Sequence, residues 1–191
     1  MNKADQPTKS FTSASKLREW LAKNHAKSNG IWLRIYKKDS GVKTVTYDEA
    51  LDEALCYGWI DGQKNSHDEK SWLQKFTPRR SKSIWSKRNT EHIARLIKEN
   101  RMYSAGLKEV EAAKKDGRWS QAYDSQKNMQ IPVDFLKEVK KDKKAYAFFQ
   151  TLNKANAHAI GWRLQTAKKP EIRERRIKAF LDMLAKGEKL H

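Results

Sequence analysis

Between Ile31 and Lys37 the chain alternates strictly, with Ile31, Leu33 and Ile35 on one side and Trp32, Arg34 and Tyr36 on the other. Period two over this length is the signature of a strand with one buried and one amphipathic face. A strand of this kind commits the chain to a sheet packed against something on one side only. The sequence supplies the covering layer on both flanks. Before the strand, Ser13 can cap a helix that places Leu17, Trp20 and Leu21 on one face, and Asn29-Gly30 signals the turn that follows. After it, Asp39-Ser40-Gly41 turns the chain into a short expected strand, Val42 to Val45. Thr46 and Glu49 then form a capping box for a helix bearing Tyr47, Ala50, Leu51, Ala54 and Leu55.

Gly58 suits a left-handed helix stop, Asp61-Gly62 reads as a turn, and Ser71 to Phe76 reads as a strand broken by Pro78. Asn89 or Ser86 can cap a helix carrying Ile93, Leu96 and Ile97. Another helix spans Ser104 to Lys115 and stops at Asp116-Gly117. Residues 1 to about 10 read as loose, and Gln121 to Gln130 as a polar loop. From Pro132 the pattern is helical only, with stripes at Phe135, Leu136 and Val139, then Ala145, Phe148, Phe149 and Leu152, then Ala157, Ile160, Leu164 and Ala167. Pro170 fits the first position of a last helix with Ile177, Phe180, Leu181 and Leu184 inward. The expected fold class is α+β. A small antiparallel sheet with packed helices occupies residues 1–125, and a C-terminal helical bundle occupies 126–191, as two parts or one continuous domain.

Charge decides which partners suit such a surface. There are 41 basic and 23 acidic residues among 191, a net +18, which attracts polyanions and repels cationic peptides. The same excess also serves solubility on a Lys-rich surface. A single cysteine excludes an intrachain disulfide and a multi-cysteine metal site, and the five histidines lack ligand spacing, so no metal or other cofactor is expected. The opening residues MNKADQPTKS lack an apolar core, and no apolar run is long enough to span a bilayer. The expectation is a cytoplasmic protein without integral membrane association.

The stretch Leu55–Asn89 concentrates reactive and costly side chains. Cys56 lies close to Glu49, Asp52 and Glu53 near a helix C-terminus, where negative charge suppresses a thiolate. A structural cysteine is favoured over a nucleophile. Asp61 is read as a turn residue, with a general base as the alternative. Arg79 and Arg80 follow a stiffening proline, and Trp85, Ser86 and Asn89 precede or open a helix. Guanidinium forks, aromatic faces and a helix start make a phosphate or carboxylate site, and equally the stacking-plus-charge layout of a single-strand binder. The competing reading packs Trp72, Phe76 and Trp85 in a core with Arg79 stacked above them. Lys37, at the end of the first strand, either points into the same cleft or protects a sheet edge.

Five segments in order carry a resemblance: WLRIYKK (32–38), TYDEALDEALCYGWIDG (46–62), FTPRRSKSIWSKRN (76–89), AGLKEVEAAKKDGRW (105–119) and AKKPEIRERRI (167–177). They resemble the YdeI/OmpD-associated, or bacteriocin-protection, family. One departure is Asn100, where glycine is expected. The resemblance implies a role in bacteriocin or antimicrobial-peptide protection and brings no assigned catalytic activity. It carries over Lys37, Cys56, Trp59, Asp61, Phe76, Arg79, Arg80, Trp85, Ser86 and Asn89 as motif positions. Three functions stay open: an anionic small molecule bound around those motifs, nucleic acid bound by the basic surface, or catalysis by Cys56 and Asp61. No protein partner is specified.

Overall fold

The computed structural model describes residues 6–124 and 128–190. Within them the chain divides into two compact units, one built from residues up to Trp85 with Asn89–Gln121, the other from Ser86–Arg88 with the chain from Ala122 onward.

The first unit is a four-stranded sheet in the order β1-β2-β4-β3 with helices on one face. β1 (Thr8–Lys9) runs parallel to β2 (Ile31–Tyr36), β2 is antiparallel to β4 (Ser71–Pro78), and β4 to β3 (Trp59–Ser66). The sheet is therefore mixed, where an antiparallel one was expected, and Thr8–Lys9, expected to be loose, are held in it by pairing with Trp32 and Leu33. Ile31, Leu33 and Ile35 are buried while Trp32, Arg34 and Tyr36 are half-exposed, as the alternation requires. α1 (Ala14–Asn24) starts at Ser13, whose side chain accepts from the Lys16 amide, and buries Leu17 and Leu21. α2 (Tyr47–Cys56) opens with the reciprocal Thr46/Glu49 capping box and is buried from Ala50 to Cys56. A helix enclosed on nearly every side this way has nowhere to place Asp52 and Glu53 except in ion pairs.

Two further sequence expectations are corrected by the connections between these elements. Val42–Val45 forms no strand; the Val42 amide donates to the Ser40 hydroxyl at 3.2 Å and the Val45 amide to the Phe11 carbonyl at 2.9 Å. Asp61-Gly62 makes no turn but lies inside β3, and the chain reverses at residues 67–70 instead. α3 (Lys87–Lys98) follows Ser86 and puts Asn89 in its first turn, and α4 (Ser104–Lys115) ends at Asp116 with Gly117 left-handed. α4 approaches α2 so closely that a Cβ on Gly106 would stand 2.4 Å from the Cys56 carbonyl oxygen. Only glycine fits there.

In the second unit α5 (Val133–Val139), α6 (Lys143–Gln150), α7 (Lys154–Gln165) and α8 (Pro170–Ala185) bury Phe135, Val139, Ala145, Ile160, Leu164, Phe180 and Leu184 in one cluster. Pro170 is the first residue of α8. Part of the expected polar loop, residues 125–127, lies outside the described residues. No described helix is long and apolar enough to cross a membrane.

Candidate functional site

Pro78 ends β4, and the loop beyond it is fastened from within. The Arg79 amide donates to the Gly58 carbonyl at 3.0 Å, and Arg79 Nη1 donates to the Ile84 carbonyl at 3.2 Å. The guanidinium carbon stands 3.4 Å from the centre of the Trp85 ring, which is 1% exposed. Arg79 itself is 7% exposed. Trp85 meets Trp119 at 4.9 Å, and buried Arg118 grips Asp116 while donating to the Ser83 carbonyl at 2.9 Å. Arg80 is exposed, with its backbone tied to Ser83. Asn89 is buried, and half-buried Ser86 pairs with Tyr123 in the second unit. The structure thus brings Arg79 and Trp85 together as a stacked pair, with the indole beneath the guanidinium.

Trp59 and Phe76 are interior. Trp59 packs edge-on against Trp20 at 5.8 Å and donates its Nε1 proton to the His25 carbonyl at 3.2 Å. Phe76 is 2% exposed.

A second constellation gathers at the far end of the sheet. β3 carries a bulge between Asp61, opposite Phe76, and Lys64, opposite Gln74. Residues three apart in a regular strand face opposite sides, so the bulge is what puts Asp61 and Lys64 on one face. Buried Gln74 holds it in place: its amide donates to the Gly62 carbonyl at 2.9 Å. The Lys64 ammonium then lies 4.4 Å over the Trp72 ring, and Asp61 accepts a 2.8 Å bond from the Tyr47 hydroxyl. Tyr47, the first residue of α2, also leans on Trp72 at 6.1 Å. Together with Lys37, Asn65, Ser66, Asp68 and Ser71, Lys64 and Trp72 line a cleft of about 360 Å³. The charge of Asp68 is met by Arg34 at 2.6 Å. Neither Lys37 nor Lys64 lies within ion-pair distance of a carboxylate among the described residues. Lys64 was not among the expected site residues, because the bulge that places it hides behind Asp61-Gly62; Trp72, read as a strand residue and weighed as core, was not among them either.

Cys56 is 1% exposed, and burial together with the Glu53 carboxylate pushes its thiol up to about 12. Arg101 and Arg18 oppose this, but they are engaged by Glu53 at 2.9 and 2.6 Å. A thiol so placed is a packing group. Asp52 is bonded by His92 at 2.7 Å and by Arg95 at 2.6 Å. Among the described residues no cluster of His, Cys, Asp and Glu has the makings of a metal site.

Residues 9–109 match the model of a family described as a domain of unknown function (DUF8412). Residues 128–187 match that of a family described as bacteriocin-protection, YdeI or OmpD-associated. No curated protein and no solved structure matches.

Proposed function

We propose, for a chain that belongs to the YdeI/OmpD-associated family through residues 128–187 and to the uncharacterised-domain family through residues 9–109, that its first unit binds a small anion bearing a planar ring. The observation that carries this is the pair of lysines, Lys37 and Lys64, both without a carboxylate partner, lining one cleft with the Trp72 ring. A phosphate or carboxylate would take the ammonium groups and the Ser66 hydroxyl, and the planar group would lie on the indole. Arg79 is spent on Trp85 and the Ile84 carbonyl, so in this reading it fastens its loop and leaves the anion to the lysines.

In this reading bacteriocin protection runs through such a ligand. Capture of a cationic peptide is the poorer mechanism, because a net charge of +18 repels it.

Calorimetry with adenosine monophosphate and with inorganic phosphate alone tests the proposal. The nucleotide should bind more tightly than phosphate, and Lys64→Ala or Trp72→Ala should each weaken it. A charge-assisted hydrogen bond is worth about 1.5–3 kcal/mol, roughly ten- to a hundredfold in affinity. Absence of nucleotide binding at low salt, or variants that bind like the parent, overturns it.

A further inference from the structure

The other face of the same sheet carries a separate set of side chains. Alternation on β2 turns Trp32, Arg34 and Tyr36 away from the side covered by α1 and α2, and all three are half-exposed. The register sets Lys75 opposite Trp32 and Leu73 opposite Arg34, and both of these are half-exposed as well. Beyond them lie Thr77 and Ile60, again paired and half-exposed. The surface is therefore an open patch of strand carrying two large aromatic rings. Each ring has a cation over it: the Lys75 ammonium is 5.3 Å from the centre of Trp32, and the Arg34 guanidinium is 4.6 Å from that of Tyr36. Arg34 is fixed in that pose by bonds to the Ser71 hydroxyl at 2.9 Å and to Asp68 at 2.6 Å.

We propose that this face, with Trp32 and Tyr36 four residues apart on β2 beneath Lys75 and Arg34, is a stacking platform for single-stranded nucleic acid. Four residues of strand cover about 13 Å, enough for two bases of an extended strand with a nucleotide between them. Every base has a π-face, so rings exposed on a sheet read no sequence but can bind any single strand. Guanidinium planes extend the platform, because arginine stacks on rings and bases alike. Lys75 has no carboxylate within ion-pair distance among the described residues and is placed to meet a phosphate. Charge complementarity singles out this occupant: the chain carries +18, which favours a polyanion over an apolar protein face. In a duplex the bases are already stacked on each other, so the rings gain nothing from it.

The experiment is fluorescence anisotropy on the full chain with a labelled oligothymidine of about ten nucleotides and a duplex of the same length, chosen to span the platform. The single strand should bind and the duplex should bind more weakly. Trp32→Ala and Tyr36→Ala should each weaken single-strand binding by about tenfold. Trp32→Leu keeps the apolar bulk and should show the same loss, which separates stacking from a folding defect. Lys75→Gln should lower the slope of log affinity against log salt by about 0.7. Lys64→Ala should leave oligothymidine binding unchanged, and Trp32→Ala should leave nucleotide binding in the cleft unchanged, so each idea fails alone. Equal binding of duplex and single strand, or ring variants that bind like the parent, would mean that Lys75 and Arg34 merely shield exposed rings, and overturns the proposal.

Discussion

Arg101 owes its place beside Glu53 to the backbone of the residue before it. Asn100 has φ 54°, its amide donates to the Ile97 carbonyl at 3.0 Å, and the Arg101 amide donates to Leu96 at 3.0 Å. That bond pair is a Schellman stop, and it swings the chain so that Arg101 reaches Glu53 at 2.9 Å and Glu99 at 3.0 Å. Glycine is the expected residue here because the left-handed region costs other residues about 1–2 kcal/mol, and asparagine is the side chain that tolerates it best. Asn100→Ala should therefore lower stability by about 1 kcal/mol while Asn100→Gly is neutral or stabilising, as read from urea midpoints. A fall for both variants would show that the Asn100 side chain, not its backbone, matters. The sequence exposed this position as a departure from a pattern. It could not show the ion pairs behind it, because Arg18 and Arg101 stand 35 and 48 residues from Glu53, and Arg95 stands 43 from Asp52. With those partners unseen, Asp52 and Glu53 looked like free charge acting on Cys56. In the fold both are ion-paired, and the thiol is held protonated by burial first and then by Glu53.

Among elements, the legible ones are those whose period survives to their ends. α1, α2, α4 and α8 fall where caps and stripes put them, down to the Thr46/Glu49 box and Pro170 at the first position of α8. β3 was hidden by its bulge, since Trp59-Ile60-Asp61-Gly62-Gln63-Lys64 alternates nowhere and Asp-Gly is a strong turn signal. What makes the bulge viable is a distant residue, Gln74, whose buried amide serves the Gly62 carbonyl. Gln74→Leu keeps roughly the volume but removes the bond to that carbonyl, an expected loss of about 0.5–1.5 kcal/mol in denaturant unfolding. Because the bulge also aims Lys64 at Trp72, the same variant should lose affinity for adenosine monophosphate although it touches no ligand. Loss of stability with full affinity would separate the bulge from the cleft. The anticipated site around Arg79 and Trp85 was half legible: the motif marked two residues that meet, but stacking geometry spends one of them on covering the other.

At the scale of the molecule the surplus of positive charge sets how stability responds to pH. On the acid side several carboxylates are held below their usual range. Burial works against Asp52, but bonds from Arg95 and His92 prevail; Arg101 and Arg95 hold Glu99 down, and Lys87 holds Asp124 down. A depressed carboxylate adds stability that is present above its unfolded pKa, about 4, and is lost as pH falls through the folded value. Each proton taken up there also raises a charge already at +18, so the acid limb should be steep. On the alkaline side the sign reverses. The Cys56 thiol is pushed up to about 12, by burial first and then by Glu53, and burial also raises Tyr57. A raised thiol contributes stability that is fully present below its unfolded pKa, about 8.5, and is lost as pH climbs toward the folded value. Lysines discharging above about pH 10 relieve repulsion and mask part of that loss. Cys56→Ala isolates it. Asp52, Glu53, Cys56 and Tyr57 all lie in the first unit, so hydrogen exchange at the α2 amides is the local readout. Protection of those amides should be level from about pH 5 to 8 and fall on both sides in the parent, after correction for the intrinsic exchange rate. In Cys56→Ala the acid limb should persist and the alkaline fall between about pH 8.5 and 11 should flatten. An alkaline limb of unchanged slope in that variant would mean that the thiol ionises without cost, which its burial beside Glu53 forbids.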